Sequence, residues 1–414
     1  MKYSLLLLVC LATPVFAAEA TPGLPPADVV ARVLRASPPV QAAASQLRAE
    51  QANSQRLAAG SHEWSLRLGG QQRRSQPSGG PDERFAEWNV ALERPLRLPG
   101  KAALDAELGA AGVAIAETAH GDALHENSRL LLSSWFAWLK ESNAARLWAE
   151  QTAVLRQQAA AVLRRQQLGD AARLDSVQAD AALAQAEAQL AQAELRQRIA
   201  GEELQRRFPA LPLGEPAVVP EPQPVAGSAA EWLAAIVEHS HELGLAVGET
   251  RRARTLAERI ARDRLADPTF GVQVSRERGG EENVVGAYVS IPLPGTARRA
   301  GADAASAQAE AVLGREQAAR QKVTAEAAAL YHSASASVAS WQAASRAAEQ
   351  LENAAAMTMR AYQVGEGSLN DLLLARRQAL EARLAARLLQ LEAVERGYRL
   401  QLDAHRLWEF DGHD

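Results

Sequence analysis

The chain has 414 residues, 47% of them hydrophobic but only 5% aromatic, and a formal net charge of -4. That near-neutral charge leaves no basic footprint for nucleic acid, and beyond the first residues no run reaches the ~18 to 20 uninterrupted apolar residues of a spanning helix. Abundant Ala, Leu, Gln, Glu and Arg is the composition of long helices, so any membrane crossing falls to strands.

At the amino terminus, Lys2, the apolar run 5–11 and the small-residue stretch Val15-Phe16-Ala17-Ala18 have the three-part layout of a cleavable secretory signal over residues 1–18. Cys10, the single cysteine, lies inside it, and Val9 stands before it where a lipid-anchor signal wants a small residue. The mature chain is therefore expected to be free of cysteine, which rules out a thiol nucleophile, a disulfide framework and a thiolate metal site.

Residues 19–207 read as a first structural unit. An amphipathic helix begins at 28–37, and two strands follow at 62–73 and 85–94, where Trp64, Leu66 and Leu68 interleave with Ser65 and Arg67, and Trp88, Val90 and Leu92 with Asn89 and Ala91. A helical hairpin then occupies 100–207. Proline in a helix interior costs about 3 kcal/mol, and none of the 19 prolines falls in 100–208 or 295–414. Each of those runs has one break, at Gly169-Asp170 and at Gly365-Glu366-Gly367, so each predicts two helices joined by a tight turn. After the first turn Leu183, Leu190 and Leu204 share a seam with Ala179, Ala186, Ala193 and Ala200, as in a coiled coil.

A proline-rich linker, 208–228, separates the second unit, 229–410, from the first. Here the strands are expected at 269–278 and 283–291, with Phe270, Val272 and Val274 alternating against Gly271, Gln273 and Ser275, and the helical hairpin at 296–408 carries a seam of Leu380, Leu384, Leu391, Val394 and Tyr398. Residues 411–414 are a tail. The units match at an offset of 195 or 196 residues: Pro99-Gly100 with Pro294-Gly295, Trp135 with Tyr331, Gly169 with Gly365, and Asp175 with Asp371. One offset held over more than 70 residues indicates duplication.

The expected fold class is mainly α with a small transmembrane β part. Period-two strands with one apolar face suit a barrel lined by water and surrounded by lipid, and a helix of about 69 residues makes a rod on the order of 100 Å. Four strands cannot close a ring, whereas three copies supply twelve, so a homotrimer in outer-membrane lipid is predicted.

This order of helix, strand hairpin, long helix, turn and helix, duplicated about a proline-rich linker, resembles the TolC-type outer membrane factors over nearly the whole mature chain. The most specific residues are the junctions Pro95-Leu96-Arg97-Leu98-Pro99-Gly100-Lys101 and Pro292-Leu293-Pro294-Gly295-Thr296-Ala297-Arg298. The turn motifs, Gln167-Leu168-Gly169 through Leu174-Asp175 and Tyr362-Gln363-Val364-Gly365 through Asn370-Asp371-Leu372-Leu373, come next. The resemblance implies a homotrimeric exit duct whose periplasmic tips meet an adaptor protein and an inner-membrane efflux pump. It also implies that Asp371 faces the lumen at the periplasmic mouth and that Tyr362 and Asp175 bond between neighbouring hairpins to keep it closed, although Gly367 stands where some relatives carry a basic residue. Alternatively, Asp175 and Asp371 simply start the following helices. Leu168, Gly169, Val364 and Gly365 mark the tips where an adaptor would dock. Pro99-Gly100-Lys101 is similar to the junction of the heavy-metal branch, which hints at divalent metal cargo.

No catalytic constellation is visible, so no enzyme activity and no cofactor are expected. His120 and His125 are five apart on different helix faces, and with His239, His241, His405 and His413 they read as surface histidines without metal-ligand spacing. The competing non-channel reading is a periplasmic coiled-coil adaptor or scaffold with a soluble strand domain.

Overall fold

The computed structural model describes residues 21–76, 78–214 and 218–408. The expected signal segment with Cys10, the linker residue Pro216, His413 and the tail lie outside the described residues. Among those described, no helix is long and apolar enough to cross a membrane.

Each half begins with two short helices where the sequence predicted one. Helix α1 (Ala27–Arg35) stops at Ser37, whose extended backbone leads into α2 (Pro38–Ala59). Pro38 and Pro39 explain the break, because proline is well placed in the first turn of a new helix, where its missing N–H would be unpaired anyway. In the second half, α5 (Ala229–Glu238) and α6 (His241–Arg262) divide at Ser240. The Ser240 hydroxyl accepts the Leu243 N–H at 3.2 Å and so starts a fresh helix.

The four strands β1 (Ser65–Ser75), β2 (Glu83–Pro95), β3 (Thr269–Glu277) and β4 (Glu282–Ser290) form one antiparallel sheet in the order β1-β2-β3-β4. The halves of the chain are therefore joined through the β2–β3 ladder, in which Val90 pairs with Val274 and Leu92 with Val272. Two helical hairpins hang from the sheet: α3 (Lys101–Gln167) with α4 (Arg173–Arg207), and α7 (Thr296–Gln363) with α8 (Leu369–Asp403). At about 1.5 Å per residue, α3 and α7 are rods on the order of 100 Å.

Packing along the rods is uneven. The main core lies part-way down α3, where Leu131, Leu132, Trp135, Phe136 and Leu139 meet Leu34, Leu204, Phe208 and Leu391. Backbone segments wrap this level: Trp135 Nε1 donates to Gly23 O at 2.8 Å, and the equivalent Tyr331 hydroxyl donates to Gly227 O at 3.3 Å. Along α4 the buried seam is formed by Ala179, Ala186 and Ala193, while Leu183 and Leu190 are only half-buried beside it. Alanine at the contact lets two backbones approach closely, which leaves the leucines at the margin. Within one chain α7 is thinly covered, with nine of its 68 residues buried against 24 of the 67 in α3.

A buried ion cluster fixes the sheet to the rods. Lys101 is 1% exposed, and its ammonium lies 2.9 Å from both Asp263 and Asp267 and donates to Leu265 O at 2.7 Å. Arg259 bonds Asp105 at 2.6 Å and Asp263 at 2.7 Å, and Asp267 also accepts the Leu98 N–H at 3.0 Å. Burial works to raise the carboxyls of Asp263 and Asp267, but these bonds and cationic neighbours hold both below the usual carboxylate range. Their stabilising contribution is therefore present above about pH 4, the unfolded-state value, and is lost as pH falls through the lower folded values. Lys101→Met removes the cation shared by two acids, which keep Arg259, the Leu98 N–H and His62 as partners, and should cost about 3 kcal/mol or less. Melting of the purified protein should show that loss at pH 7 and a smaller gap between variant and wild type as the acids protonate.

Candidate functional site at the helix tips and on the sheet

Both long rods end in the same turn. Leu168 and Val364 close the helices, and Gly169 and Gly365 follow in the left-handed region at φ 84° and 82°. The Gly169 N–H donates to Gln166 O and the Asp170 N–H to Arg165 O, at 3.0 and 2.8 Å; Gly365 and Glu366 repeat this with Tyr362 and Ala361 at 3.2 and 2.9 Å. Glycine suits this position because a side chain at such a φ is strained. Leu168 is 79% and Val364 71% exposed, so each tip presents an apolar side chain to its surroundings.

The two aspartates start helices. Asp175 accepts the Ala172 N–H at 3.3 Å, and Asp371 accepts the Ser368 hydroxyl at 2.7 Å while Ser368 Oγ takes the Asp371 N–H at 3.1 Å. A carboxylate in the first turn meets unpaired N–H groups and the positive end of the helix dipole.

Within the chain Tyr362 pairs with a residue the sequence reading missed. Its hydroxyl accepts from Arg165 Nη1 at 3.3 Å, and the Arg165 guanidinium lies 5.6 Å from the ring centroid. Arg165 also faces Asp170, bonding its carbonyl at 3.2 Å and its carboxylate at 3.4 Å. The contact thus joins the tip of α3 to the tip of α7, with the Tyr362 ring resting against the small core of Val162, Ala179, Leu369 and Leu372. The clue available in sequence was positional, since Arg165 and Tyr362 occupy nearly equivalent places in the two units.

The junction glycines, by contrast, differ. Gly100, after Pro99, is left-handed at φ 84°, whereas Gly295, after Pro294, is extended at φ -121° and ψ 178°. The matched Pro-Gly pairs therefore do not share a backbone conformation.

At the other end, the sheet has two unlike faces. Across the ladders Leu66, Leu92, Val272 and Ala287 form one row and Leu68, Val90, Val274 and Val285 the next. These apolar side chains are outward: Leu68 is 70%, Val272 54% and Val285 79% exposed. The opposite face is polar and internally bonded. Arg67 meets Glu93 at 2.7 Å, Gln71 donates to Glu87 at 2.8 Å, and Arg73 bridges Glu87 and Glu277 at 3.0 and 2.8 Å. Tyr288 crosses β3 to donate to Glu93 at 2.6 Å, which requires Gly271 beneath it, since a Cβ there would sit 2.3 Å from the ring.

The histidines need a correction. His125, His241 and His405, expected on the surface, are half-buried and converge from three distant segments, with ring centroids 5.1 to 5.7 Å apart. Sequence spacing along one helix could not show this, because each ring comes from a different element.

Together, two helical hairpins on a sheet with its apolar side outward define the fold of the TolC-type outer membrane channels. The CmeC outer membrane channel of Campylobacter jejuni superposes with a TM-score of 0.74 at 14% identity, over 92% of this chain and 85% of that one. The outer membrane protein VceC of Vibrio cholerae gives 0.71 at 17%, over 92% and 95%. The MtrE outer membrane channel of Neisseria gonorrhoeae, in its open state, gives 0.71 at 20%, over 94% and 90%. No family model matches the sequence, and no curated protein is similar to it at the level of sequence.

Proposed function

We propose that three copies of this chain close a twelve-stranded barrel in the outer membrane, with the helical rods in the periplasm, and that the trimer is the passive exit duct of a tripartite efflux system. The observation that carries this reading is the sheet: a solvent-exposed apolar face, a bonded polar face, and edges at β1 and β4 with no partner strand among the described residues of one chain. In lipid an open edge costs several kcal/mol for each unpaired group, so neighbouring copies must cover it. A soluble adaptor would bury such a face against its own core. The solved channels of the same fold support the duct over the adaptor or scaffold reading.

Charge placed on the two faces of β3 separates the alternatives. Val274→Lys puts an ammonium on the apolar face and should cost about 2 to 4 kcal/mol if that face meets mid-bilayer lipid. Gln273→Lys, one residue away on the polar face, should assemble normally. Trimer recovered in detergent from the outer membrane measures both, and equal behaviour of the two variants contradicts the barrel.

At the periplasmic end, the proposed mouth is ringed by Tyr362, Asp175 and Asp371. The Arg165–Tyr362 bond is the reading we favour for the contact that narrows it, because Asp175 is engaged by its own helix start. Single-channel conductance at low voltage should rise when Arg165→Ala and Tyr362→Phe are combined, and Asp175→Ala should leave it near wild type. A rise confined to Asp175→Ala would restore the tyrosine–aspartate latch.

The exposed Leu168 and Val364, each beside its turn glycine, are the proposed contacts for a periplasmic adaptor that couples the duct to an inner-membrane pump. Photocrosslinkers at these two positions should yield an adaptor adduct in cells, and a crosslinker at the outward-facing Val285 should yield none.

Divalent metal ions are the cargo suggested by the Pro99-Gly100-Lys101 junction, although Lys101 itself is fully engaged in the ion cluster at the top of α3. Deletion of the gene should sensitise cells to divalent metals more than to dyes and antibiotics; the opposite order would assign the duct to organic cargo.

A further inference from the structure

Part-way down the rods, far along the chain from the tips, His125 on α3, His241 at the first position of α6 and His405 just beyond α8 bring one ligand nitrogen each to within 4.8 Å of one another. From this geometry we infer a divalent transition-metal site that staples the first unit to the second. Three imidazoles select borderline cations such as zinc, copper or nickel, whereas calcium and magnesium require oxygen ligands.

Three further features fit a built site. His125 and His241 line a cavity of about 410 Å³ that Asp122 and His239 also line. His239 is a candidate fourth ligand, with its ring centroid 5.2 Å from that of His405, and Asp122 offers a carboxylate at the same wall. Asp403 lies 3.4 Å from His125 Nε2 and is itself held by Arg129 and Arg399 at 2.8 and 2.9 Å. A carboxylate behind a ligand histidine fixes the orientation of the ring.

The backbone at His405 is the most specific sign. It sits at φ 53°, in the left-handed position that follows α8, with its N–H on Leu402 O at 3.0 Å and the next N–H on Gln401 O at 2.8 Å. This is the turn that ends α3 and α7, where the residue is Gly169 or Gly365. Histidine replaces glycine at a position that disfavours any side chain, and the replacement carries its imidazole into the cluster. Tetrahedral coordination at 2.0–2.1 Å sets nitrogen separations near 3.3 Å, so the rings must close by roughly 1.5 Å, a movement that side-chain rotation supplies.

All three ligands belong to one chain, so the site stands or falls apart from trimer assembly and cargo. The test uses the full-length, untagged protein in detergent, stripped with chelator and titrated with zinc chloride at pH 7.5 against a chelating dye. One tightly bound zinc ion per chain is expected, together with a rise in melting temperature. His405→Gly suits the backbone and should still fold, but should weaken zinc binding by more than the roughly 10- to 100-fold that loss of a partner behind a ligand costs and abolish the melting shift; His241→Gln should do the same, while His332→Gln, on the exposed face of α7, should bind as wild type. Cobalt substitution should give the visible absorption of a tetrahedral nitrogen site in wild type and His332→Gln, and not in His405→Gly or His241→Gln. Zinc affinity unchanged in both His405→Gly and His241→Gln, or no saturable binding by wild type, overturns the site.

Discussion

The sheet places its hydrophobic residues on the side that a soluble protein would hide, and the rest of the molecule follows from that inversion. Burying an aliphatic side chain is worth about 1.5 to 3 kcal/mol, so rows such as Leu68, Val90, Val274 and Val285 left outward are tolerable only where the surroundings are themselves apolar. The same surroundings forbid unpaired strand edges. One chain ends at β1 on one side and β4 on the other, and its rod α7 buries few of its own residues. Both ends of the molecule are incomplete in the same sense, and the ring of copies we propose would complete both.

The proposed duct needs a rigid joint between a sheet in lipid and rods in water. The cluster of Lys101, Asp105, Arg259, Asp263 and Asp267 supplies it, with Arg97 close to Asp105 and His62 bonded to Asp267 at 3.2 Å. The acids of the second unit hold the lysine of the first, so the joint ties the duplicated halves together at the root of the sheet. It also makes them unequal: Lys101 has no counterpart at Thr296, and Gly100 and Gly295 adopt different conformations. Further down, Trp135 on Gly23 and Tyr331 on Gly227 preserve the older symmetry. The two units share the anchors of the wrapping segments and differ at the joint.

Much of this architecture was readable from local rules. Proline-free runs bounded by Gly169 and Gly365 marked the rods, because helix interiors exclude proline and left-handed turns prefer glycine. Period-two alternation around Leu66, Val90 and Val272 marked the strands. What stayed hidden depends on contacts between residues far apart in sequence. The β2–β3 ladder that unites the halves, the burial of Lys101 and the Arg165–Tyr362 contact leave no periodic trace. The histidines were misread for the same reason, since His125, His241 and His405 have no motif spacing and meet only once three elements have packed. In the α4 seam, heptad logic found the stripe, and within it Ala179, Ala186, Ala193 and Leu204 are buried while Leu183 and Leu190 are half-buried.

Mass measurement of the intact particle, extracted gently from the outer membrane into detergent and released from it in the gas phase, addresses the inversion directly. Three times the mature chain mass, resistant to dilution, is the predicted result. A single-chain mass, obtained without detergent from the soluble periplasmic fraction, would contradict it.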